Sequence, residues 1–202
     1  MPPVTTALIA ANVALFLLEM AAPGLVGMLA LWPLGASKFG AAVGFQPWQL
    51  LSYAFLHGSL VHLAFNMFAL YMFGGAIERV FGGRRYFWYY LVCVLSAAIA
   101  QLLVAAMTGL FYPTVGASGG VFGLLLAYAM YFPNNRIMLL FPPIPMPARV
   151  FVLLYAALEL YLGVTGTQEG VAHFAHLGGM VGGFVMLRYW RVMPGAWRRG
   201  RF

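Results

Sequence analysis

Long apolar runs, with charge confined almost wholly to the gaps between them, dictate what this chain can become. It has 202 residues, of which 63% are hydrophobic and 7% charged. A soluble domain carries about a quarter charged residues. A water-soluble fold of this size cannot hide so much apolar surface, so lipid must cover much of it. A crossing needs about 20 apolar residues. Six runs qualify or come close: Thr6 to Ala22, Ser52 to Ala76, Tyr86 to Met107, Ala117 to Phe132, Val150 to Val164 and Val171 to Trp190. The expected fold class is all-α, a polytopic six-helix membrane bundle forming one domain over residues 1–202. The fourth and fifth runs are short, and tilt or a start below the surface accounts for them.

The basic residues orient the bundle. With the N-terminus in the cytoplasm, Arg79, Arg84 and Arg85 fall in an inner loop, as do Arg136 and Arg149. Arg188, Arg191, Arg198, Arg199 and Arg201 fall at the inner C-terminus, and of the 11 basic residues only Lys38 lies outside. This is the positive-inside pattern. The net charge of +7 follows from topology and contact with anionic lipid, with no call for nucleic acid. The N-terminus lacks the basic region of a cleavable signal, so the first run reads as a retained helix. The stretch from Pro23 to Ser52 is the large external loop, with Trp32 and Trp48 suited to the lipid–water boundary. Cys93 has no partner for an internal disulfide and reads as a small packing residue.

Polar groups inside spans are functional candidates by default. They are His57, His62 and Asn66 in the second span, Ser118 in the fourth, Glu159 in the fifth, and His173 and His176 in the sixth. The topology puts His62, Asn66, Ser118 and His176 at similar depth near the outer face. His62 and Asn66, four apart, share a helix face, and so do Ser118 and Phe122. Gly116, Gly120 and Gly123 leave the fourth span smooth, and Gly179 and Gly183 lie on the face of His176. Small residues at such spacing let membrane helices pack closely, which makes the fourth and sixth spans neighbours.

Each motif alone has a plainer reading. Gly-Ala-Ser-Gly-Gly is common helix packing, a single histidine is commonly a structural hydrogen-bonding group, and the nucleophile elbow that Gly-x-Ser-x-Gly resembles needs a strand–turn–helix in a soluble sheet. No metal or other cofactor is expected: there is no His-Glu-x-x-His, and Glu159 has no fixed place near the histidines in sequence.

Taken together, the motifs resemble the rhomboid family of intramembrane serine proteases. Phe55 to Met67 resembles the family's second-span motif, and Gly74-Gly75-Ala76-Ile77-Glu78-Arg79 the end of that span. Gly116-Ala117-Ser118-Gly119 matches the nucleophile motif, and Ala175-His176-Leu177-Gly178-Gly179 the base motif. Where the family often has Trp-Arg in its first external loop, this chain has Trp48-Gln49, which questions how that loop is anchored. The overall plan looks like the minimal bacterial form, a multi-pass protein of the inner (cell) membrane.

The resemblance implies a serine endopeptidase acting on transmembrane protein substrates. Ser118 is the nucleophile and His176 its base, with His62, Asn66 and the Ser118 backbone N–H as oxyanion donors. Phe122 stacks on the imidazole in place of a carboxylate; His57, Gly116 and Gly179 support the site, and His173 serves structure. The sequence has no aspartate and no glutamate evidently placed to orient His176, so a dyad is expected rather than a triad. An inactive relative that binds transmembrane helices, or a small transporter, are the alternatives. The inactive relative would be expected to have lost Ser118 or His176. The transporter would be expected to show an inverted repeat, and none is evident.

Overall fold

The computed structural model describes residues 1–35, 44–109, 111–138, 143–166 and 171–190. Lys38, Arg191, Arg198, Arg199 and Arg201, and with them part of the charge argument and of the first loop, lie outside the described residues. Helix α1 (Pro3–Ala21) leads to a short α2 (Gly24–Leu29). A one-turn α3 (Gln49–Ser52) and a 3₁₀ turn (Tyr53–Phe55) precede α4 (Leu60–Ala69). A π-helical turn (Leu70–Gly74) joins α4 to α5 (Gly75–Phe81). Then come α6 (Gly83–Thr108), α7 (Ser118–Tyr131), α8 (Ala148–Thr165) and α9 (His173–Tyr189). A small antiparallel hairpin, β1 (Arg136–Met138) with β2 (Pro145–Pro147), connects α7 to α8; no strand was expected there.

Among the described residues, four helical stretches are long and apolar enough to cross a membrane: Pro3–Ala21, Leu60–Phe81, Gly83–Thr108 and Ala148–Thr165. Helix α7 is apolar but has 14 residues, and α9 has 17. Large apolar side chains such as Leu17, Phe65, Leu103, Leu153 and Val185 point outward and exposed. A surface so rich in apolar groups fits lipid rather than water.

The second apolar stretch differs from expectation at both ends. Its helix starts at Leu60, where the Ser59 hydroxyl accepts from the His62 N–H at 3.1 Å as an N-cap. His57 therefore sits in the connection before the helix, not within a span. The helix runs on to Phe81 through the π turn, a single wide turn inserted in an α-helix.

Helix α6 is the centre of the bundle. Its Tyr86, Tyr89, Tyr90 and Val94 lie in the main core with Tyr53, Leu70, Ile77 and Leu124. Two of the buried phenols find backbone acceptors: Tyr53 donates to the Val94 carbonyl at 2.8 Å and Tyr89 to the Gly123 carbonyl at 2.7 Å. A second, smaller core joins α7, α8 and α9 through Phe122, Leu125, Val152 and Met180. This second core seats α8 beside the polar residues of α9.

Two polar anchors fix the outer elements. Helix α1 has no side-chain cap of its own. Instead the Glu78 carboxylate of α5 accepts from the Val4 N–H at 2.9 Å, the Thr5 N–H at 2.7 Å and the Thr5 hydroxyl at 2.7 Å, placing negative charge at a helix N-terminus. Gln49, fully buried, stands where the family resemblance led one to look for arginine. Its Oε1 accepts from the Trp32 and Gln46 N–H groups at 3.2 and 3.1 Å, and its Nε2 donates to the Met28 and Gly44 carbonyls at 3.2 and 3.3 Å. The amide thus ties this part of the chain together without a charge.

Candidate active site

Helix α7 begins at Ser118. The connection leading to it is held by the Gly116 N–H, which donates to the Tyr53 carbonyl at 2.9 Å. Gly116 has φ +131°, a conformation that side chains disfavour. There is also no room for one. A Cβ here would lie 2.9 Å from His62 Nε2 and 3.5 Å from Ser118 Oγ, so both groups border the same small volume. Because Ser118 opens a helix, its backbone N–H has no intrahelical acceptor.

Close contact of α7 with α9 brings the histidine to the serine. A Cβ on Gly179 would collide with the backbone of Gly119, so the two helices touch at the main chain. Gly123 sits beside the Gly179 carbonyl and Cys93. Gly120 and Gly183 instead face α6, against the rings of Tyr90 and Tyr89. The expected smooth faces of α7 and α9 are thus divided between each other and α6, because three helices, not two, meet here. Cys93 is buried among them.

Across this seam Ser118 Oγ and His176 Nε2 lie 2.8 Å apart. The His176 ring is stacked on Phe122, with centroids 4.3 Å apart and planes within 3°. Phe122 is in turn backed by Tyr155 of α8 at 4.9 Å. His57 meets the His62 ring edge to face at 5.0 Å. Asn66 lies one turn beyond His62 and donates one of its amide N–H groups to the His62 carbonyl at 3.0 Å. His57 is further connected through its backbone N–H to the Glu19 carboxylate at 3.4 Å, a group not singled out from the sequence.

The structure corrects the reading of Glu159. Its Oε2 lies 2.9 Å from His176 Nδ1 and 2.7 Å from His173 Nδ1, with all three side chains largely buried. A carboxylate does stand behind His176, in addition to the Phe122 stack rather than replaced by it. His173 shares that carboxylate. Local sequence held one hint: His173 and His176 are three apart on one helix face, and a glutamate in an apolar helix wants a partner. The rotation of α8 that aims Glu159 at them comes from the second core and leaves no short-range signature. Glu159, His173 and His176 also offer ligand atoms within 4.8 Å of one another, a set that can hold a metal ion.

With Glu159 ionised it can only accept, so both Nδ1 atoms would donate to it. In that tautomer His176 Nε2 is a lone pair facing the Ser118 hydroxyl, which would donate to it. The arrangement is that of a hydroxyl beside a correctly oriented base.

The Rhomboid domain family matches residues 44–191. The chain belongs to the rhomboid family. It is 30% identical over 183 residues, 91% of its length, to rhomboid protease GluP of Bacillus subtilis. It is 34% identical over 151 residues, 71% of its length, to RHOMBOID-like protein 4 of Arabidopsis thaliana. It is 30% identical over 137 residues, 67% of its length, to the mitochondrial rhomboid protein 1 of Saccharomyces cerevisiae. The chain spans 34%, 34% and 39% of those three proteins. With its apolar helices, this rhomboid is an integral, multi-pass membrane protein.

Proposed function

We propose that this rhomboid is an intramembrane serine endopeptidase that cleaves transmembrane protein substrates near the outer face of the membrane. The observation that carries the reading is the 2.8 Å hydrogen bond between Ser118 Oγ and His176 Nε2, in a helix seam close enough to hold it. The name of GluP as a rhomboid protease supports the same class of activity.

Ser118 Oγ attacks the scissile carbonyl carbon while His176 Nε2 takes its proton. The negative charge that forms on the carbonyl oxygen meets the Ser118 backbone N–H, His62 and Asn66. His176 then returns the proton to the leaving amine, and water hydrolyses the acyl-serine by the same steps in reverse order. Water reaches the site through a cavity open to the outer face, since lipid would exclude it. The substrate helix unwinds locally, because a helical peptide bond is shielded by its own turns.

Six crossings, with both termini in the cytoplasm, complete the proposal. Helices α7 and α9 are short for a crossing; α7 is enclosed by the bundle, and α9 keeps one apolar face outward with Val181, Phe184 and Val185. A fluorophosphonate probe tests the nucleophile: it is expected to label the wild type and not Ser118→Ala. Equal labelling of both proteins contradicts the assignment.

A further inference from the structure

We propose that Glu159 is a positioning residue for His176, and that His173 holds Glu159 in place for that task. This rests on the Ser118–His176 reading above and adds a third group to it. Both histidines direct Nδ1 at the same carboxylate oxygen, Oε2, at 2.7 and 2.9 Å. Two N–H donors on one oxygen fix the carboxylate from two sides. His173 Nε2 has no hydrogen-bond partner among the described residues, so the ring's polar contact there is with Glu159 alone.

The chemistry follows from the neutral imidazole, which carries one N–H and one lone pair. A base facing Ser118 through Nε2 must keep its hydrogen on Nδ1. Glu159 selects that tautomer, because an ionised carboxylate accepts and cannot donate. As His176 takes the serine proton, the imidazolium that forms lies against a negative charge, in surroundings of low dielectric where the attraction is strong. Phe122 fixes the plane of the ring; Glu159 fixes its rotation within the plane. The two constraints are complementary. Glu159 touches neither the serine nor the place of the substrate carbonyl, so it acts through His176.

The test uses the full chain in detergent micelles, first in the Ser118→Ala background so that no turnover is needed. ¹⁵N-histidine NMR is expected to show His176 as the Nδ1–H tautomer, and Glu159→Gln to convert it partly or wholly to Nε2–H. An Nε2–H tautomer with Glu159 present overturns the proposal, as does a tautomer unmoved by Glu159→Gln. In the Ser118 protein, Glu159→Gln is expected to lower kcat by about 10² to 10⁴, as amide replacement of a triad carboxylate does, with KM within about twofold. Glu159→Asp is expected to recover at least about tenfold over Gln, and His173→Phe to lose about tenfold relative to the wild type. A loss confined to KM, or Glu159→Asp no better than Gln, leaves Glu159 as a helix-packing group and rejects positioning. Activity abolished by a chelator and restored by a divalent cation rejects it in favour of a metal site on the same three residues. Cleavage by Ser118→Ala sinks the assignment of Ser118 as nucleophile, whereas the tautomer result stands or falls without it.

Discussion

The His176 imidazole lies parallel to the Phe122 ring, with centroids 4.3 Å apart and planes within 3°. Phe122 lies four positions beyond Ser118 on α7, so one helix presents both the proposed nucleophile and the surface on which its proposed base rests. Such ring pairs contribute roughly 0.5–1.5 kcal/mol beyond burial. Phe122→Leu is therefore expected to slow cleavage roughly 2- to 12-fold, and Phe122→Tyr to restore it. Kinetics on a fluorescent transmembrane peptide would check this, and an undiminished rate in Phe122→Leu would show that the stack does not matter.

Much of this was legible in advance. Ser118, His176, Phe122 and the α7–α9 contact follow from spacing on helices whose limits the apolar runs marked to within a few residues. Glu159 was not legible, because periodicity reveals which face of a helix is polar but not which neighbour that face meets. The same gap hid the partnership of Glu78 with the start of α1. The departure at Gln49 left the anchoring of the first loop open in the sequence; an amide with two donors and one twice-used acceptor ties its described part together.

Gly179 carries the close approach of α9 to α7. Gly179→Ala forces a Cβ into the Gly119 backbone, where nothing flexible can yield. Overpacking costs typically 1–3 kcal/mol, and a main-chain collision belongs at the upper end. Gly58 has open space around its Cβ direction, so Gly58→Ala is the matched control. Thermal unfolding in detergent should separate the two variants clearly; equal midpoints would contradict the packing.

Glu78 receives three hydrogen bonds from the first turn of α1. Hydrogen bonds to charged groups contribute roughly 1.5–3 kcal/mol each. Glu78→Gln is expected to destabilise the fold by about 2 kcal/mol, while the folded fraction keeps its activity. Thr5→Val removes a single bond and is expected to cost less. A Glu78→Gln protein as stable as wild type would show that the carboxylate is not what holds α1.

His62 and Asn66 stand as oxyanion donors in the proposed mechanism. Removing one such donor costs about 10² to 10³ in kcat. His62→Ala and Asn66→Ala are each expected to show that loss with little change in KM. Turnover within about twofold of wild type in either variant would remove that residue from the oxyanion site.

The most direct measurement is cleavage of a transmembrane substrate in proteoliposomes by wild type, Ser118→Ala and His176→Ala, with products identified by mass spectrometry. The account predicts a new terminus near the outer boundary of the substrate helix with the wild type, and none with either variant, although both insert and fold. Wild-type cleavage by Ser118→Ala or by His176→Ala would contradict it.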